Sequence, residues 1–174
     1  MTPIIIIASI IALILISALI IGTKLTIERS VAIRKPLDSV FNYLRFVKNQ
    51  DNFSVWNMAD PEMAKEYRGT DGKVGFVYAW NSPRMKNVGA GEQEIMKIDE
   101  GKNIEHEVRF FRPMQNTAKV NFAFKEINGN TEVQWGFYGK MKFPMNIAKA
   151  MFQKMLGRDL EKGLQNLKVV LEKQ

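Results

Sequence analysis

The sequence predicts an α+β domain, one antiparallel sheet covered by a long C-terminal helix, behind a single apolar N-terminal helix. Three observations predict it. Between residues 62 and 140, short runs of alternating apolar and polar side chains are separated by turn signals. From Pro144 onward, one apolar stripe recurs at helical spacing. Residues 3–22, PIIIIASIIALILISALIIG, contain no charged side chain, and every Lys, Arg, Asp and Glu lies beyond them.

An apolar run of about 20 residues at about 1.5 Å per residue is about 30 Å long, the thickness of a bilayer's hydrocarbon core. A cleaved secretory signal would carry a basic start, a shorter apolar stretch and small residues before a polar exit. Here Met1 and Thr2 bring no Lys or Arg, and Ser17 and Ala18 lead into more Leu and Ile. The expectation is a retained single-pass span. Lys24, Arg29, Arg34 and Lys35 crowd its C-terminal side, which by the positive-inside bias places the remainder of the chain in the cytoplasm. The chain thus divides into an anchor at 1–22 and a domain at 23–174, long enough for one core of its own.

The domain opens with KLTIERSVAIR (24–34), whose Leu25, Ile27, Val31 and Ile33 form the inward set of a first strand. Pro36 then occupies a first-turn position, and Val40, Phe41, Leu44 and Val47 recur at three- and four-residue spacing, the mark of a short amphipathic helix. NQDNFSVWNMADP (49–61) is turn-rich, with Phe53 and Trp56 embedded, and reads as a second short helix or an irregular packed loop.

Strands follow at 62–68, 75–81, 91–98, 103–111, 117–127 and 131–140. Their short connections, with Asn128, Gly129 and Asn130 as the strongest hairpin signal, imply an antiparallel meander. Alternation puts Phe76, Tyr78 and Trp80 on one face, as it does Ile104, His106, Val108 and Phe110. The same holds for Val120, Phe122 and Phe124, and for Val133, Trp135 and Phe137. Two registers remain open for the strand at 91–98: either Glu92 and Glu94 point inward, or Gln93 and Ile95 do.

The last element carries Ala148, Met151, Phe152, Met155, Leu156, Leu160, Leu164, Leu167 and Leu171 on one stripe. A helix so patterned must bury that stripe, and the one-sided sheet is the available surface. Gly157 and Gly163 weaken the helix or let another surface approach it closely.

The chemical inventory is narrow. With no cysteine and a single histidine, His106, the chain has no thiol nucleophile, no disulfide, and too few ligands for a His/Cys zinc site. No metal or cofactor is expected. The formal net charge of +7 falls entirely on the domain, but its basic residues are interleaved with acids and form no nucleic-acid block. An anionic lipid surface is the nearer partner for a charge held beside a membrane. His106, inward between Ile104 and Val108, needs a hydrogen-bond partner: a backbone carbonyl, Tyr78, Tyr138 or a ligand group.

The order strand, two short helices, six antiparallel strands and long helix resembles the START-like superfamily, also called SRPBCC. This is the polyketide cyclase/dehydrase and lipid-transport group with a helix-grip fold. The resemblance rests on RSVAIRKPLDSVFNYL, the Phe53 to Trp56 element, GFVYAW, the Gly89 to Gly91 lead into the next strand, RFFRP, EVQWGFYG and LEKGLQNLKVVLE, in that order. It spans about residues 25–173.

The resemblance implies a sheet of about seven strands curled around the long helix and enclosing a cavity for an apolar guest. It implies walls from Tyr78, Trp80, His106, Phe110, Phe122, Phe124, Trp135 and Phe137 on the sheet and from Met151, Phe152 and Met155 on the helix. Aromatic and methionine walls suit irregular apolar ligands, and the same residues also suit a packed core. Three functions are compatible with this pattern. The first is a membrane-anchored module that binds a hydrophobic small molecule or lipid. The second is a cyclase/dehydrase enzyme using His106 with a carboxylate or Tyr as acid–base pair. The third is a structural or regulatory domain with a collapsed cavity, which an internal void above about 300 Å³ would disfavour.

Overall fold

The computed structural model describes residues 2–173, so the first residue of the expected anchor and the last of the expected domain lie outside the described residues. An apolar helix α1 (Thr2–Ile20) leads through three residues into strand β1 (Lys24–Ile33). Helix α2 (Leu37–Arg45), a 3₁₀ turn (Val47–Asn52) and helix α3 (Val55–Ala59) come next. The meander comprises β2 (Ala64–Arg68), β3 (Val77–Asn81), β4 (Ala90–Asp99), β5 (Asn103–Arg112), β6 (Asn116–Ile127) and β7 (Asn130–Lys140). A second 3₁₀ turn (Met145–Ala148) precedes helix α4 (Lys149–Lys173).

The seven strands form one sheet in the order β1-β7-β6-β5-β4-β3-β2, with every neighbouring pair antiparallel. This is the α+β helix-grip architecture expected from the order of elements. Only the β1–β7 pairing is non-local: Lys24 lies opposite Lys140 and Ile33 opposite Thr131. It brings the chain that leaves α1 against the chain that enters α4. Because connections between successive antiparallel strands alternate between the two ends of the sheet, the segments 21–23, 60–63, 82–89, 113–115 and 141–148 gather at one end.

The inner face of the sheet carries the expected alternation. Leu25, Ile27, Val31 and Ile33 of β1 are buried, and the inward place between Ile27 and Val31 is taken by Arg29, which is half-buried. Helix α4 crosses this row at Gly157, where any side chain would run into the Arg29 guanidinium. At Gly163 a methyl group would lie 2.8 Å from the Trp135 indole. Gly163 lets the helix approach the indole closely, at a cost of about 1 kcal/mol in helix propensity, whereas at Gly157 the obstructing atoms are the free end of a flexible side chain that can swing aside.

Helix α4 differs from expectation in two respects. Pro144 opens a 3₁₀ turn rather than the helix, which starts at Lys149. The buried stripe begins at Gly157 and continues through Leu160, Leu164, Leu167 and Leu171, whereas Met151 is 63% and Met155 42% exposed. Along the first two turns of α4, Phe152, Met155 and Leu156 border open space between helix and sheet instead of packing on the sheet.

Helix α1 is exposed along most of its length. By length and composition it could cross a membrane, a property that signal sequences share. Its C-terminal end is held: Ala18 is 2% exposed, and the fully buried Asn146 donates its side-chain amide to the Ala18 carbonyl at 2.6 Å and to that of Ile21. Lys149 donates to the Gly22 carbonyl at 3.3 Å. These donors cap carbonyls that a helix terminus otherwise leaves unpaired.

Candidate functional site: an aromatic-walled cavity

Between the sheet and the first half of α4 lies a cavity of about 370 Å³. Position along each strand decides what lines it. On β5, Val108 and Phe110 face the cavity, while Ile104 and His106 sit deeper in the packed core. On β6 Asn116 and Val120 line the cavity, and Phe122 and Phe124 belong to the core. On β7, Trp135 and Phe137 line the cavity and Val133 is sealed. In each case the cavity takes the residues nearer the end of the sheet where α1 joins.

Of the eleven residues expected as walls, Tyr78, Trp80, Phe110, Trp135, Phe137, Phe152 and Met155 line the cavity. Phe122 packs in the core against Trp135 with ring centroids 4.9 Å apart, and Phe124 packs edge-on against Phe41 at 5.1 Å. Met151 projects outward on the exposed first turns of α4. His106 has no exposed surface, and its ring stands edge-on to Phe122 at 6.0 Å. It also borders a shallow outer depression of about 200 Å³ with Glu105, Glu107 and Lys119, separate from the large cavity.

Neither ring nitrogen of His106 has a hydrogen-bond partner among the described residues, and burial pushes its pKa down to about 4. The two tyrosines expected as its partners are engaged elsewhere. Tyr138 lies on the outer face and donates to Glu28 at 2.6 Å, while Tyr78 accepts from Asn57 at 3.3 Å.

The open register of β4 is settled by the outer surface. Gln93 and Ile95 are buried, whereas Glu92 and Glu94 face outward and meet Arg109 at 2.7 and 2.6 Å. Arg109 also reaches Glu107 at 2.5 Å, and Arg68 reaches Glu92 at 2.5 Å. Desolvation raises the Glu92 pKa, but hydrogen bonds from Arg68 and Arg109 outweigh it, so Glu92 titrates below the usual range. These carboxylates brace the sheet and do not face the cavity.

Two arcs of rings frame the cavity. Tyr67, Tyr78 and Trp80 stack in sequence at 5.6 and 5.9 Å, and Phe110 meets Trp80 edge-on at 6.1 Å. On the other side Trp56 stands perpendicular to Trp135 at 6.1 Å. All three tryptophans of the chain thus line one space. Gly91 makes room for Trp80, whose Cη2 lies 2.7 Å from where a Cβ would be, and the indole donates to the Val88 carbonyl at 3.1 Å.

Among the apolar walls stand two buried donors, Nε2 of Gln93 and Nε1 of Trp135, that have no partner among the described residues. Such groups cost about 1–3 kcal/mol when left unpaired, so a guest that supplies an acceptor gains that much in affinity over a hydrocarbon. Tyr78 stays a neutral phenol: burial, then the nearby Asp51 charge, pushes its pKa up. Arg112, Lys140, Lys142 and Asp159 stand at the cavity's margin, and burial raises the Asp159 pKa.

Several lining residues had no periodic signature. Trp56 comes from the turn-rich run, Met114 and Met141 from loops and Met145 from the second 3₁₀ turn, where strand alternation does not apply. The one available sign was an apolar or aromatic residue in an otherwise polar segment.

No curated protein matches the sequence. Among solved structures, protein CV1439 from Chromobacterium violaceum has a TM-score of 0.60 at 13% identity, covering 84% of this chain and 96% of its own. The Aha1 dimer from Colwellia psychrerythraea has a TM-score of 0.59 at 13% identity, covering 85% and 96%. Ara h 8.0201 has 0.57 at 13%, covering 87% and 99%. At such identities the likeness shows the fold alone. A family model described as polyketide cyclase / dehydrase and lipid transport matches residues 24–172, so the chain belongs to that family.

Proposed function

We propose that this protein is a membrane-anchored binding module that holds a hydrophobic small molecule or lipid in its internal cavity. The cavity is the observation that carries the reading: about 370 Å³, aromatic and methionine walls, and two buried donors awaiting an acceptor. That volume exceeds the roughly 300 Å³ at which drug-sized sites begin, which disfavours a ligand-free structural domain. Family membership supports the same class of guest.

The anchor is supported by the composition of α1 and by the way its end is held. If α1 were removed as a signal, Asn146 would be left with a buried amide and no acceptor at Ala18 or Ile21. Basic residues after the helix favour a cytoplasmic domain. The cyclase/dehydrase alternative gains nothing from His106, whose ring lies in the core and outside the cavity.

Because Trp56, Trp80 and Trp135 all line the cavity, intrinsic fluorescence reports occupancy directly. Titration of the full chain in detergent with a brominated fatty acid should quench this emission saturably. Val108→Phe, which fills the cavity from β5, should weaken the effect severalfold. Identical linear quenching in both proteins would refute cavity binding.

A further inference from the structure

Two features at one end of the domain are unexplained by ligand binding alone: a cluster of exposed apolar side chains and an excess of basic ones. Met114 (47% exposed) lies in the β5–β6 connection. Phe143 (50%), Met145 (41%) and Ile147 (42%) lie between β7 and α4, and Met151 (63%) on its first turn. A soluble surface scatters such residues singly, whereas a cluster around a basic rim marks a contact surface. All belong to the end of the sheet at which α1 joins, and Met114 and Met145 also line the cavity.

Charge divides the same way. The α1 end carries Lys24, Arg84, Lys86, Arg112, Lys140, Lys142 and Lys149 against Asp60, Glu62 and, at the cavity margin, Asp159. Arg84 pairs with Glu62 at 2.5 Å, but Lys86, Lys140 and Lys142 meet no carboxylate among the described residues. At the opposite end Arg34, Lys35, Arg68, Lys73 and Lys102 are offset by Asp71, Asp99, Glu100 and Glu172. Basic residues near an anionic leaflet contribute about 1 kcal/mol each.

Orientation is constrained by the clasp on α1. Only residues 21–23 separate the helix from β1, Met141 donates to the Thr23 carbonyl at 2.9 Å, and Asn146 and Lys149 cap the helix end. A domain so fixed to the end of a membrane span must turn this face, and no other, toward the bilayer.

We propose that the α1 end of the domain is a membrane-contacting face. Met114, Phe143, Met145, Ile147 and Met151 enter the boundary between headgroups and acyl chains, and Lys86, Lys140 and Lys142 rest on anionic headgroups. The cavity margin is then pressed to the lipid surface, so a guest passes between bilayer and cavity without crossing water. This rests on α1 being a retained span, as the proposed function holds.

The test uses the absence of native cysteine. Met114→Cys and Phe143→Cys, with Lys73→Cys and Lys102→Cys at the far end, are each labelled with an environment-sensitive fluorophore in the full chain. The proteins are reconstituted into phosphatidylcholine vesicles carrying nitroxide lipids, with or without phosphatidylglycerol. The expected result is quenching at 114 and 143 severalfold above that at 73 and 102. It should deepen with phosphatidylglycerol and shrink when Lys140→Glu and Lys142→Glu are added. Equal quenching at both ends overturns the proposal. Tryptophan quenching by brominated fatty acid in detergent separates the two claims. Ligand binding without end-specific lipid quenching refutes this face alone, while lipid quenching without ligand binding supports the face and refutes the binding function.

Discussion

The side-chain amide of Asn146 donates to the backbone carbonyl of Ala18 at 2.6 Å, joining residues 128 apart in sequence. A fully buried amide in the turn before α4 thereby finishes a helix at the other end of the chain. Replacing it with Ala removes two hydrogen bonds to orphan carbonyls, about 1–2 kcal/mol of local stability. Asn146→Ala should therefore speed hydrogen exchange of the Ile21 amide roughly tenfold or more, as mass spectrometry of the full chain in detergent would read. Unchanged exchange would mean that the clasp holds nothing.

Gly163 faces the indole of Trp135, which is 4% exposed and packed by Phe53 and Phe122. Phe53 and Phe122 leave the ring only the cavity to move into, so Gly163→Val should cost about 1–3 kcal/mol by overpacking. Denaturant unfolding should show the loss, together with a shift in tryptophan emission.

His106 couples stability to pH. Its ordinary pKa of 6.5 falls to about 4 in the folded domain because burial penalises the cation. Above pH 6.5 the ring is neutral in both states and costs nothing through protonation. As pH falls from 6.5 toward 4 the unfolded chain takes up the proton first, so stability drops by about 1.4 kcal/mol per unit, on the order of 3 kcal/mol across the window. His106→Leu should abolish this part of the slope and raise stability at neutral pH by roughly 1 kcal/mol, since it removes two unpaired buried nitrogens. Unfolding curves at pH 7.5 and 5 compare the two proteins.

Gln93 places an unpaired donor on the cavity wall. Gln93→Leu should lower affinity for a long-chain ketone by about fivefold, worth about 1 kcal/mol, while leaving affinity for the matched alkane unchanged or improved. Tryptophan fluorescence titrations measure both. Equal loss for the two probes would assign Gln93 to packing alone.

The fold was legible in the sequence because strands and helices announce themselves by period. Alternation placed Tyr78, Val108, Phe122 and Trp135 on one face, and the stripe from Leu160 to Leu171 found its cover. The candidate site was only half legible, for a physical reason: alternation tells which face a side chain occupies but not how far along the strand it sits. Phe122 and Val120 share a face, yet one is core and the other cavity wall. His106 and Phe110 divide in the same way. Trp56, Met141 and Met145 reach the wall from segments without regular period, so only the closed fold brings them in.

Native mass spectrometry of the full chain, released from detergent after purification from membranes, measures the central claim directly. The expected spectrum shows one apolar molecule retained per chain in the natural protein and depleted in Val108→Phe. A bare chain in both, or equal retention in both, in protein that remains folded, would contradict the assignment of this cavity as a ligand site.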